Sequence, residues 1–175
     1  TRETTIDAAR GNITDRNGII LAGTKMGFNV KLYRTKITTE ALNTCILNTI
    51  NILEKNDDKY IDNFPIRIEP FEHKFLNDEK FIDWKKANNL DESLTPEECF
   101  YEFREKYDII NEEIHEIAKI IAVRYEISQN GYSATKPILI AEDISRESAI
   151  EISEPKEDMG GISISTEAIR NYTSG

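Results

Sequence analysis

Arg10-Gly11-Asn12-Ile13-Thr14-Asp15-Arg16-Asn17-Gly18-Ile19-Ile20-Leu21-Ala22 is the stretch on which the reading of this 175-residue chain turns. Asn17-Gly18 stands between two short apolar-rich runs. A type I′ turn requires positive φ at both central residues, which Asn tolerates and Gly adopts freely, so the stretch predicts a tight β-hairpin. Arg10, Asp15 and Arg16 crowd three charges around that turn, more than a solubilising strand edge needs, and such a cluster is expected to have a partner, either beyond the hairpin or in an ion pair within it.

Outward from the hairpin, Gly27 to Tyr33 alternates apolar and polar residues with period two, so residues 1–37 read as strands with one buried face. At Thr38 the period becomes helical. Thr39 is the expected N-cap, and Leu42, Cys45, Ile46, Thr49, Ile50 and Leu53 form one apolar stripe ending near Lys55. Phe64 to Ile68 predicts a short strand and Asp78 to Lys86 a short helix. Thr95-Pro96-Glu97-Glu98 combines an N-cap, Pro at the first helical position and Glu at the third. A further helix is expected from Asn111 to Glu126. Gln129-Asn130-Gly131 ends the helical pattern and Pro137 to Ala141 returns to strand. Ser145 to Ile152 predicts a short capped helix, with strands at Gly161 to Ser165 and Ala168 to Tyr172. The expected fold is therefore α+β: a β-rich base made by the two chain ends, 1–37 and 137–175, with a mostly helical head inserted at 38–136.

A net charge of −10 repels phosphate backbones and anionic lipid heads, which excludes nucleic acid as a general partner. No run approaches the roughly 20 apolar residues of a membrane helix, so the piece is expected to be soluble. Cys45 and Cys99 fall among apolar neighbours on predicted helices, where a free thiol acts as a small buried hydrophobe.

Ser133-Ala134-Thr135-Lys136 has the Ser-x-x-Lys form of serine acylating enzymes, and Ser128-Gln129-Asn130 supplies a Ser-x-Asn. A nucleophilic serine of that kind needs a helix N-terminus, whereas this one sits in a turn running into Pro137. A small serine hydrolase built on Ser133 and Lys136 therefore stands as an alternative only. A secreted glycan- or peptide-binding module is the other alternative. His73 and His115 lack a second histidine at ligand spacing, so no metal site and no cofactor are expected. Glu69, Glu72, Asp78 and Glu79 read as surface charge. Phe71, Phe75, Phe81 and Trp84 read as core before partner surface.

The stretch from Arg10 to Ala22 resembles the Arg-Gly-x-Ile-x-Asp-Arg-Asn-Gly-x-x-Leu-Ala signature of the N-terminal, non-catalytic module of class B penicillin-binding proteins. These are the membrane-anchored D,D-transpeptidases that cross-link peptidoglycan. Gly160-Gly161-Ile162-Ser163-Ile164 and Arg170-Asn171-Tyr172-Thr173-Ser174-Gly175 are similar to two further segments of that family, with Thr173 where the family has Pro. The resemblance implies a pedestal, or dimerisation domain, with no catalytic residue of its own, on the extracytoplasmic side of the cell membrane. It implies that Arg10, Gly11, Asp15, Arg16, Asn17, Gly18, Arg170, Tyr172 and Gly175 form an interdomain docking motif. The implied partners are the protein's own transpeptidase domain, a SEDS-family glycosyltransferase with other cell-wall synthesis proteins, and a second copy in a homodimer. With 27 Ile against 9 Leu, the composition points to a low-GC Gram-positive source.

Overall fold

The computed structural model describes residues 25–154 and 160–168. The hairpin expected at 10–22, and the last expected strand beyond Ala168, lie outside the described residues. The order of elements is β1 (Met26–Leu32), α1 (Thr39–Lys55), β2 (Ile66–Arg67), β3 (Glu72–His73), α2 (Asp78–Ala87), α3 (Pro96–Lys106), α4 (Ile114–Asn130), β4 (Ile138–Ile144), α5 (Arg146–Ser153) and β5 (Ile162–Ala168). The strands pair antiparallel in two small sheets, with three helices in succession between β3 and β4, and the fold is α+β. The described residues divide into two compact units. A sheet unit holds 25–35, 49–60, 132–154 and 160–168, and a helical unit holds 36–48 and 61–131.

In the sheet unit, β1 is the central strand of an antiparallel sheet ordered β4-β1-β5. Its period-two pattern puts Val30 and Leu32 in the core, with Phe28 half-buried on the same face. The β1–β5 ladder is unbroken, from Met26 opposite Ala168 to Leu32 opposite Ile162. The β1–β4 ladder is not: its register shifts between Phe28 and Val30 and again between Val30 and Lys31. The first shift falls where Asp143 has φ 57°, the local kink of a bulge. Gly161 opens β5 at φ +88°, and a Cβ there would stand 2.5 Å from the Tyr33 carbonyl oxygen, so only glycine fits. Helix α5 packs on β1 and β5 through Ala149 and Ile152. Its N-cap Ser145 accepts from Ser148 N. Asp58, just after α1, holds that cap by accepting from Ser145 N at 2.9 Å and Ser145 Oγ at 2.7 Å.

In the helical unit, Thr38 and not Thr39 caps α1, its Oγ1 accepting from Ala41 N at 3.1 Å. Thr95 and Glu98 form the expected reciprocal capping box at the start of α3. Helix α4 starts at Ile114 because the Glu113 carboxylate serves as its N-cap, accepting from His115 N and Glu116 N. It runs on to Asn130, past the expected end at Glu126. The core here is aromatic. Phe64 meets Phe103 edge-on at 5.1 Å and Tyr125 at 5.2 Å, and Trp84 stacks on Phe103 at 5.5 Å. Phe81 is buried, whereas Phe71, Phe75 and Trp84 are half-buried at the margin of this core.

Candidate functional site

The register of β1 with β5 decides where a functional site can be built. Because Met26 pairs with Ala168, β1 begins and β5 ends at the same end of the sheet. Just inside that end, three strands are tied by a polar network. Asn29, 3% exposed, accepts from Asp143 N through Oδ1 at 3.0 Å, which satisfies an amide the bulge takes out of the ladder. Its Nδ2 donates to Glu167 Oε1 at 2.7 Å, and Lys31 Nζ donates to Glu167 Oε2 at 2.5 Å. The Asn29 amide thus uses a donor and an acceptor at once, one toward each neighbouring strand. Lys25 lies 3.6 Å from Asp143 at the same end.

All of the expected docking residues, Arg10, Gly11, Asp15, Arg16, Asn17, Gly18, Arg170, Tyr172 and Gly175, lie outside the described residues. Asn29, Asp143 and Glu167, which stiffen the Met26–Ala168 end of the sheet, were not among the expected site residues. Their partners are more than 100 residues apart in the chain, and no local pattern announces them.

Ser133 is not placed as a nucleophile. Helix α4 has ended at Asn130, and Ser133 Oγ accepts from Thr135 N at 3.1 Å and Lys136 N at 2.9 Å, the geometry of a hydroxyl closing its own turn. The thiol of Cys99 is fully buried, and burial pushes its pKa up to about 11, so it holds no thiolate near neutral pH. Among the described residues, no three His, Cys, Asp or Glu side chains are grouped as a metal ion would need. Nor is any helix of the described residues long and apolar enough to cross a membrane.

The charge is unevenly distributed. Residues 36–48 and 61–131 hold 18 of the 32 acidic side chains and 10 of the 22 basic ones, giving −8 of the total −10. The rest of the chain, including Arg10, Arg16 and Arg170, is close to neutral. In the helical unit a cavity of about 560 Å³ is lined by Phe71, His73, Phe81, Ile82, Lys85 and Pro96, among others. Lys85 is spent on structure there: its buried Nζ donates to the carbonyls of Glu92 and Leu94 and lies 4.0 Å from the centre of the Phe81 ring.

The two histidines are both engaged with carboxylates. His73 Nε2 is 2.7 Å from Asp78 Oδ1, and His115 bonds Glu113 through Nδ1 at 2.7 Å and Glu69 through Nε2 at 2.8 Å. The Glu69 bond first, then the Glu113 bond, raises the pKa of His115 above the ordinary histidine value. Hydrogen bonds from the His115 backbone and ring hold the Glu113 carboxyl below its usual range.

The family model of the penicillin-binding protein dimerisation domain matches residues 5–175. No curated protein matches the chain. Among solved structures, penicillin-binding protein 2B from Streptococcus pneumoniae (strain 5204) is similar at 18% identity and a TM-score of 0.40, over 83% of this chain. The match takes in 23% of that protein, so the present chain spans less than a quarter of its length. With a family model covering nearly every residue, the chain belongs to the penicillin-binding protein dimerisation domain family.

Proposed function

We propose that this chain is the non-catalytic pedestal of a peptidoglycan D,D-transpeptidase, and that its working site is the end of the sheet where β1 begins and β5 ends. The pairing of Met26 with Ala168 carries this reading. Arg170 follows Ala168 by two residues, a reach of at most roughly 7 Å, and Gly18 precedes Met26 by eight. The reading takes Arg10, Asp15, Arg16, Arg170 and Tyr172 as one docking cluster, in a part of the chain that is close to neutral while residues 36–48 and 61–131 carry most of the negative charge. Guanidinium groups offer paired donors that suit carboxylates and backbone carbonyls of an adjoining transpeptidase domain. In this reading residues 1–37 and 137–175 are the base and 38–136 the head. The parent is anchored in the cell membrane with this module on the extracytoplasmic side. A SEDS-family glycosyltransferase and a second copy of the chain are its further partners. Labelling with a fluorescent penicillin tests the non-catalytic assignment. No covalent adduct should form on this chain, and a stoichiometric adduct on Ser133 would replace the pedestal with a serine acylating enzyme.

A further inference from the structure

Both histidines of the chain bind the same small element, the β2–β3 hairpin, to the start of a helix, but they do so in chemically different ways. His73, on β3, accepts from Phe75 N through Nδ1 at 3.2 Å. Its proton therefore sits on Nε2, which donates to Asp78 Oδ1 in the first turn of α2. One ring proton satisfies both contacts. His115, in the first turn of α4, has a carboxylate oxygen at each ring nitrogen: Glu113 at Nδ1 and Glu69, in the turn between β2 and β3, at Nε2. A carboxylate only accepts, and a neutral imidazole donates once. The two contacts coexist only when the ring carries both protons.

We propose that His115 is a protonation-operated latch that fastens the β2–β3 hairpin to α4 through Glu69 and releases it when the ring becomes neutral. The hairpin supplies Phe71, Glu72 and His73 to the wall of the 560 Å³ cavity, so the latch controls how firmly that wall is held. The charged groups around it are consistent with this operation. Glu69 comes from the hairpin, Glu113 from the cap of α4, and Arg67 and Glu72 of the hairpin are paired with each other. On α4 itself, Glu116 accepts from Asn111, and Lys119 lies one turn further along the helix. The raised pKa of His115 sets the direction: the latch is closed below that pKa and opens as pH rises through it.

Nuclear magnetic resonance on the whole chain reads both parts. The His115 imidazole signal is assigned by its loss in His115→Gln. His115 should titrate above the ordinary histidine value. Exchange at Lys74 N, which donates to Pro65 O across the hairpin, should quicken about threefold above that pH after correction for intrinsic rate. Glu69→Gln should lower the His115 titration and remove the pH step at Lys74, as should His115→Gln. An unshifted His115, or a shifted one with no pH step at Lys74, overturns the latch.

Discussion

Met26 and Ala168 face each other as the outermost pair of the β1–β5 ladder, so the described chain leaves and returns at one point. That end of the sheet is stiffened by side chains, since backbone pairing alone leaves an amide free at the Asp143 bulge.

Asn29 should be the least replaceable polar side chain of the sheet. Asn29→Ala removes the acceptor for Asp143 N and the donor to Glu167 from a nearly buried position. Urea unfolding should show a loss of about 1–3 kcal/mol, the range for a buried polar group left unmatched. Asn29→Asp should be worse at neutral pH and recover on acidification, because it places a second carboxylate against Glu167. Unchanged stability in Asn29→Ala would remove the network from the account.

Two glycines separate backbone strain from collision. Gly131 has φ +70° with nothing within 4 Å of a Cβ, whereas Gly161 has φ +88° and would bring its Cβ to 2.5 Å from Tyr33 O. Gly131→Ala should cost about 1–3 kcal/mol in thermal unfolding through dihedral strain alone. Gly161→Ala should cost more and should perturb the Tyr33 N to Gly161 O bond, visible in the Tyr33 amide shift.

What was legible in the sequence was what local chemistry decides. The Thr95-Pro96-Glu98 start of α3 involves atoms three residues apart, so its capping box could be read directly. The apolar stripe of α1 likewise survives in the buried Cys45, Ile46, Thr49, Ile50 and Leu53. Where two hydroxyls competed for one cap, at Thr38 and Thr39, the pattern could not choose between adjacent positions. Interactions between distant residues were invisible. Asn29 looked like an ordinary polar position of an alternating strand, and its partner Asp143 is 114 residues away. Glu69 and His115 read as separate surface charges, although the fold puts them 2.8 Å apart.

The cysteines offer a check on packing. Cys45 and Cys99 are both fully buried, and the Cys99 pKa of about 11 leaves almost no thiolate at pH 8. Neither should react with a thiol reagent in the native protein at pH 8, and both should react once guanidinium unfolds it. Rapid native labelling of Cys99 would show that α3 is not packed as described.

The central claim is the proposal that Arg10, Arg16 and Arg170 serve docking and not the internal stability of this module. Arg16→Ala tests it when measured twice by thermal unfolding, in this chain alone and in the parent protein. The chain alone should lose no more than about 1 kcal/mol, as for an exposed ion pair. The parent should lose on the order of 3–5 kcal/mol, as for one partner stripped from a buried interdomain network, with reduced cross-linking. A chain that unfolds on the substitution, in a parent that keeps its stability and cross-linking, would contradict the account.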